Sequence, residues 1–127
     1  GELLRTYSLS GPPGSNEYRI SVKHEPFGKA STILHHNIQA GDIIHVSKPA
    51  GEFYLDKEST QPVLVLISSG IGVTPMLPML YAFVDGQSSA SQLIWIHGAR
   101  NGNFHPFQGE VKGLQQQLLE GVGDGKK

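Results

Sequence analysis

QPVLVLISSGIGVTPMLPMLYAFV, residues 61–84, decides how the rest of the chain is read. Val63, Leu64, Val65, Leu66 and Ile67 are an unbroken apolar run of strand length, the pattern of a strand buried on both faces in a parallel sheet. The run ends in Ser68-Ser69-Gly70-Ile71-Gly72-Val73-Thr74-Pro75, and Met76, Leu77, Leu80 and Phe83 then recur at helical spacing. Strand, glycine turn and helix in that order make an anion site. The glycines let backbone approach a ligand with no Cβ in the way, and the unpaired N–H groups of the new helix favour a phosphate. Thr74 is expected as the N-cap and Pro75 at the first helical position, where its missing N–H costs nothing. The pattern is G-x-G-x-x-P, not the G-x-G-x-x-G of the common dinucleotide fingerprint. Taken alone, it also fits an ordinary tight turn between strand and helix.

Working outward, the 127 residues suffice for one ordinary domain or two small halves. A hydrophobic content of 38% and a charged content of 17% suit a soluble globular protein. A formal net charge of −1 recommends neither a nucleic-acid nor an anionic-membrane partner. The chain has no cysteine, which excludes disulfides, thiolate catalysis and cysteine-held zinc or iron–sulfur clusters within these residues. It also mildly favours a cytoplasmic protein. No apolar run approaches the ~18 residues of a membrane span. The sequence begins almost inside a strand and without a secretory pattern, so it reads as a domain from a longer chain.

Before residue 56 the signals are strands and turns. Residues 3–10 and 18–24 are predicted as a hairpin across the loop 10–16, with Tyr18, Ile20 and Val22 alternating. Gly28 breaks the second strand, and Ser31 or Thr32 is expected to cap a short helix to about Asn37. Residues 43–46 and 52–55 complete the strands. A polar run, residues 56–61, links this part to the alternating strand and helix that follow. Residues 93–96 are a second buried strand, ending in a polar turn over residues 97–103. Residues 106–119 carry Phe107, Val111, Leu114 and Leu118 at helical spacing, and residues 121–127 are expected to fray. The fold class is a partial antiparallel β-barrel over residues 1–56, followed by a partial parallel α/β unit over residues 62–127.

Four motifs in one order give this architecture a family. Arg5-x-Tyr7-Ser8, then Gly28-x-x-Ser31-x-x-Leu34, then Pro49-x-Gly51-x-Phe53, then Gly70-x-Gly72-x-Thr74-Pro75 resembles the ferredoxin–NAD(P)H reductase superfamily. The likeness is strongest to flavohaemoglobin reductase modules and flavin reductases, which pair Tyr-Ser-Leu with a later Leu-His and His-Gly-Ala-Arg. The resemblance implies a flavin-binding barrel, a nicotinamide-binding α/β domain and cofactors meeting between them. FAD, or FMN, and NAD(P)H are the implied cofactors, and a haem, an iron–sulfur protein or a small molecule the implied electron acceptor.

Carried over by position, the resemblance implies that Arg5 neutralises the flavin pyrophosphate, a task that suits a guanidinium fork. It implies Thr6 beside it, Tyr7 against the flavin ring and Ser8 with its hydroxyl near N5, making Tyr7 and Ser8 the catalytic candidates. A strict pleat sets Ser8 on the face opposite Arg5 and Tyr7, so its reach to N5 comes from the family and not from the spacing. Ala30, Ser31 and Thr32 are implied at the same pyrophosphate. Gly70, Ile71, Gly72, Val73, Thr74 and Pro75 are implied at the nicotinamide cofactor, with His97 and Arg100 lining the same crevice. Taken singly, Arg5 and Tyr7 read as a solvated strand charge and a packed aromatic.

His35 and His36 are adjacent, pointing about 100° apart on a helix, and His24, His45, His97 and His105 show no metal-ligand spacing. The family's earlier barrel strands and its later β/α units with a C-G-P segment have no counterpart in these residues. A fragment of a longer reductase, a short homologue and a subunit completed by a partner all fit that departure. Two other classes stay open: a non-catalytic interaction module keeping the reductase topology, and a nucleotide-binding domain unrelated to flavin.

Overall fold

The structure, a computed structural model, describes residues 3–100 and 106–123. The turn expected through Asn103, the residue His105 and the last four residues of the tail lie outside them. The described residues form three helices and two strands: α1 (Lys29–His36), β1 (Val63–Ser69), α2 (Met76–Val84), β2 (Gln92–Gly98) and α3 (Gln108–Gly123). A 3-10 turn, Gly70–Val73, joins β1 to α2.

β1 and β2 pair in parallel, from Val63 opposite Gln92 to Ser69 opposite Gly98. The sheet has one covered face. Leu66 packs with Met79 and Leu80 of α2 and Leu114 of α3, and Leu64, Leu93, Trp95, Val111 and Leu55 surround them. Enclosing an aliphatic side chain of this size contributes about 1.5–3 kcal/mol, so this layer dominates the stability of the β–α unit. The expectation that the apolar run is buried on both faces is overturned. Val65, Ile67, Ile94 and Ile96 point to the other side and are exposed, Ile67 by 62%. An unbroken apolar run shows that both faces can be covered, but α2 and α3 cover just one.

The glycine bend also differs from its expected form. Gly70 takes φ +56, and helical turning begins there and not at Thr74. Thr74, at φ −58 and ψ −46, is therefore already inside the helical path, and Pro75 occupies the cap position of α2 with no side-chain cap. The Thr74 hydroxyl donates back to the Ile71 carbonyl at 3.1 Å, as a hydroxyl inside a helical turn does. In α1, likewise, Gly28 is the cap, not Ser31 or Thr32. The Thr32 hydroxyl donates to the Gly28 carbonyl at 2.6 Å, and the Ser31 hydroxyl accepts from the Glu25 amide at 3.0 Å. Both hydroxyls thus shape the turn before the helix. α3 starts after Phe107, whose φ of 64 interrupts the helix and whose carbonyl accepts from the Val111 amide at 2.9 Å. It runs to Gly123 where a frayed tail was expected from residue 121, since each added helical residue gains a hydrogen bond once the nucleus exists.

No barrel is seen among the described residues. The strands expected over residues 3–10 and 18–24 meet at one antiparallel bridge, Leu9 to Ile20, with the Ser10 amide donating to the Arg19 carbonyl at 2.8 Å. Residues 43–46 and 52–55 form no strand. Alternation assigns faces to a strand, but a ribbon is stable only when further strands or a helix cover it. Here Tyr18, Ile43, Val46, Phe53 and Tyr54 all stay exposed.

One polar cluster ties this N-terminal part to the helices. The Arg19 guanidinium donates to Glu110 Oε2 on α3 at 2.8 Å, and the Tyr81 hydroxyl on α2 donates to the same oxygen. Burial pushes the Glu110 carboxyl up, but the hydrogen bonds from Arg19 and Tyr81 and the Arg19 charge outweigh it and hold the group below its ordinary value. The hydrogen bond to Glu110 raises Arg19, and burial raises the Tyr81 phenol.

Candidate functional site

A cleft of about 450 Å³ lies between the N-terminal part and the glycine bend. Arg5, Thr6, Tyr7 and Ser8 form one wall, Ala30 and Ser31 the floor of α1, and Ile71, Gly72, Thr74 and Pro75 the opposite wall. That Arg5, Tyr7 and Ser8 all line it is explained by the missing ladder. Without paired neighbours before Leu9 the segment keeps no strict pleat, so Ser8 is not forced to the far face.

Five expected residues stand apart from this cleft. Thr32 lines a neighbouring, wider groove with Leu3, Pro26, Phe27, Lys29 and Ile33. Val73 is only 1% exposed, so its side chain belongs to the core. Gly70, exposed and left-handed, starts the bend and is not among the lining residues. His97 faces the covered side of the sheet, where its Nδ1 lies 2.8 Å from the Ser68 hydroxyl in the paired register position. Arg100, two residues beyond β2, is not among the lining residues.

Four lining residues were not among the expected site residues: Ser21, Lys23, Glu25 and Gly28, the last of which opens the second motif. Lys23 lies within the second predicted strand and Glu25 just beyond it, but only the tertiary path brings them to the cleft that Arg5 lines. Lys23 Nζ lies 3.9 Å from Glu25 Oε1, so the cleft carries two cations and one carboxylate. The resulting balance favours an anionic ligand. Gly28 has a steric reason: a Cβ there would stand 2.8 Å from Ser31 Oγ and 3.1 Å from Glu25 Cβ.

The histidines gather more than their spacing implied. The His24 ring lies 5.3 Å from those of both His35 and His36, and the His35 Nε2 is 2.7 Å from the Val22 carbonyl. Among the described residues no group of three His, Cys, Asp or Glu side chains is arranged to hold a metal ion. No helix among them is long and apolar enough to cross a membrane.

Residues 66–121 match the family of oxidoreductase NAD-binding domains. The chain is 45% identical over 118 residues to a flavohemoprotein of Bacillus cereus, covering 89% of this chain and 29% of that protein. It is 48% identical over 109 residues to a flavohemoprotein of Bacillus subtilis, covering 86% of this chain and 26% of the relative. Among solved structures, the flavohem-like FAD/NAD binding domain of a nitric oxide dioxygenase from Vibrio cholerae superposes with a TM-score of 0.77 at 35% identity. That likeness covers 90% of this chain and 48% of the other, so it includes the N-terminal part as well as the β–α unit. Phthalate dioxygenase reductase, described as carrying electrons from pyridine nucleotides to a [2Fe-2S] centre, gives 0.72 at 31% identity, over 85% of this chain and 33% of that one. The chain thus spans less than a third of the flavohemoproteins it matches. With the four motifs in order and a cleft between their two halves, the chain belongs to the ferredoxin–NAD(P)H reductase superfamily, on its flavohaemoglobin-like side.

Proposed function

We propose that the chain is the part of an NAD(P)H-dependent flavin oxidoreductase in which nicotinamide and flavin meet, with residues 1–56 serving the flavin and residues 62–127 the nicotinamide. What carries this reading is one cleft shared by the Arg5–Ser8 segment and the glycine bend. Its volume lies within the ~300–1,000 Å³ usual for small-molecule and cofactor sites. It also offers what a dinucleotide needs: a guanidinium, hydroxyls, an aromatic ring and glycine backbone free of side chains.

Arg5 holds a pyrophosphate by charge-assisted hydrogen bonds. Ala30 and Ser31 sit in the first turn of α1, where backbone N–H groups point outward to the same anion. Tyr7 supplies an aromatic face for a flat ring, and Ser8 a hydroxyl at that ring's edge. Ile71, Gly72, Thr74 and Pro75 receive the second nucleotide against the helical bend, and the walls together exclude water from between the rings. When bound, FAD accepts a hydride from NAD(P)H and passes electrons on. A haem, an iron–sulfur centre or a small molecule is the acceptor, in keeping with the flavohemoprotein relatives and the [2Fe-2S]-directed reductase.

Titration of the purified protein with FAD and with FMN, followed by flavin absorbance before and after anaerobic addition of NADH and of NADPH, tests the proposal. Uptake of flavin and bleaching by a reduced nicotinamide are expected. A colourless protein that takes up neither flavin sinks the reading. It would favour the second one, an interaction module without cofactor, for which the open apolar face of Val65, Ile67, Ile94 and Ile96 is the specific observation.

A further inference from the structure

We propose that Arg19, gripped by Glu110, is a positioning residue that sets the spacing between the two walls of the cofactor cleft. This rests on the functional reading above and adds to it a residue pair outside the cleft. The two walls belong to different parts of the fold, so something must hold them in register. Hydride transfer needs the reacting atoms about 3–3.5 Å apart, and a misplacement of 1 Å costs up to about a hundredfold in rate.

On one side Arg19 is locked to the flavin wall. Its Nε donates to Ser10 Oγ at 3.2 Å and its Nη2 donates to the Ser10 carbonyl. Ser10 is fully buried, two residues beyond Ser8, and its hydroxyl lies 2.7 Å from that of Ser21, which itself lines the cleft. Any shift of the guanidinium is therefore felt at Ser8 and Ser21. On the other side, the same Nη2 donates to Glu110 Oε2 at 2.8 Å, and that oxygen also accepts from Tyr81. Tyr81 follows Pro75 by six residues on α2, about 9 Å along the helix axis, so it reports rigidly on the nicotinamide wall. A separate observation marks the spot. Phe107 adopts φ 64, a left-handed conformation unfavourable for a non-glycine residue, and its ring centre lies 5.8 Å from the Arg19 guanidinium carbon. Strain of this kind persists only where the surroundings enforce it. Here it seats an aromatic ring against the cation that joins the walls.

The test compares Arg19→Ala, Glu110→Ala, their double variant and the isosteric Glu110→Gln. Flavin affinity is read by titration, and the rate of flavin reduction by NADH in anaerobic stopped flow. Removing either partner is expected to slow reduction by roughly tenfold to a hundredfold. In the Glu110 variants flavin affinity should stay within about twofold, because the bonds from Arg19 to Ser10 that hold the flavin wall remain. The double variant should be no slower than the slower single one, and Glu110→Gln, which keeps an acceptor oxygen, should fall between parent and Glu110→Ala. Reduction at the parent rate, or losses that add in the double variant, overturns the proposal.

A second measurement works without any flavin. Because the chain has no cysteine of its own, spin labels placed through Glu17→Cys and Gln87→Cys report the distance between the two parts. Glu110→Gln and Glu110→Ala should broaden that distance distribution, and an unchanged distribution overturns the clasp. If the protein binds no flavin but the distances respond, the functional reading falls and the clasp stands.

Discussion

The two walls of the cleft are built by opposite means. The wall at the glycine bend hangs from a paired strand and a helix whose inner residues are enclosed, whereas the Arg5–Ser8 wall is a segment held by one bridge, one buried serine and one arginine. Both parts are rich in β-branched and aromatic residues, so propensity does not separate them. The difference is how near the partner lies. In the β–α unit the covered face of the sheet meets α2, which follows β1 within a few residues, and loop closure costs little. In the N-terminal part the faces of Tyr18, Ile43 and Val46 meet nothing, and the ladder stops after a single bridge.

The sharpest way to break this comparison is with core truncations. Leu77 is fully enclosed, and Leu77→Ala should lower stability by about 2–5 kcal/mol. Ile43, 87% exposed, should change it by about 0.5 kcal/mol or less on replacement by alanine. Equal shifts of the urea midpoint for the two would show the N-terminal part to be packed as tightly as the sheet. Next in size is Arg5→Ala, expected to weaken flavin binding by roughly 1.5–3 kcal/mol, the range for a hydrogen bond to a charged group. The melting temperature should hardly move, since among the described residues Arg5 bonds only to the neighbouring Leu4 carbonyl. Unchanged affinity in a fluorescence titration would remove Arg5 from the site.

Gly70→Ala should come third. A side chain at φ +56 costs about 1–2 kcal/mol, and there is open space around it, so the penalty is conformational and not steric. Thermal melts of Gly70→Ala beside Gly72→Ala test this, the latter being expected to change less because its φ is not in the left-handed region. Smallest is the pH response of the clasp. Glu110 is held below its ordinary value in the folded chain, so its contribution is present above about pH 4.3 and lost as pH falls toward the lower folded value. With Arg19 partly solvated, this amounts to about 1 kcal/mol or less. Glu110→Gln should flatten the acid limb of stability against pH, and an identical limb in parent and variant would show that the pair does not couple the two parts.

Much of the cleft's lining could be read before any fold was known. Arg5, Tyr7, Ser8, Ser31, Gly72, Thr74 and Pro75 were each singled out by motif, and all line one cleft. Lys23 and Glu25 were missed because a charge beside a strand looks the same whether it faces solvent or a site. His97 was expected at the crevice because it ends a strand there. Its side chain instead follows the alternation that points Leu93 and Trp95 to the covered face. Thr74 was expected to cap α2, yet the left-handed Gly70 started the helical path four residues early.

What the sequence determined by itself is local. The apolar run of β1, the glycines after it and the helical spacing of Met76, Leu77 and Leu80 make a strand, a bend and a helix through contacts a few residues apart. What only the tertiary structure decided is which faces are covered and which distant groups meet. Nothing in the order of residues distinguishes the enclosed Leu66 from the open Ile67 one position on. Nor does it bring Arg19 to Glu110 across 91 positions of chain. Those outcomes depend on where α2 and α3 lie, because burial and ion pairing act through space while propensity acts along the backbone.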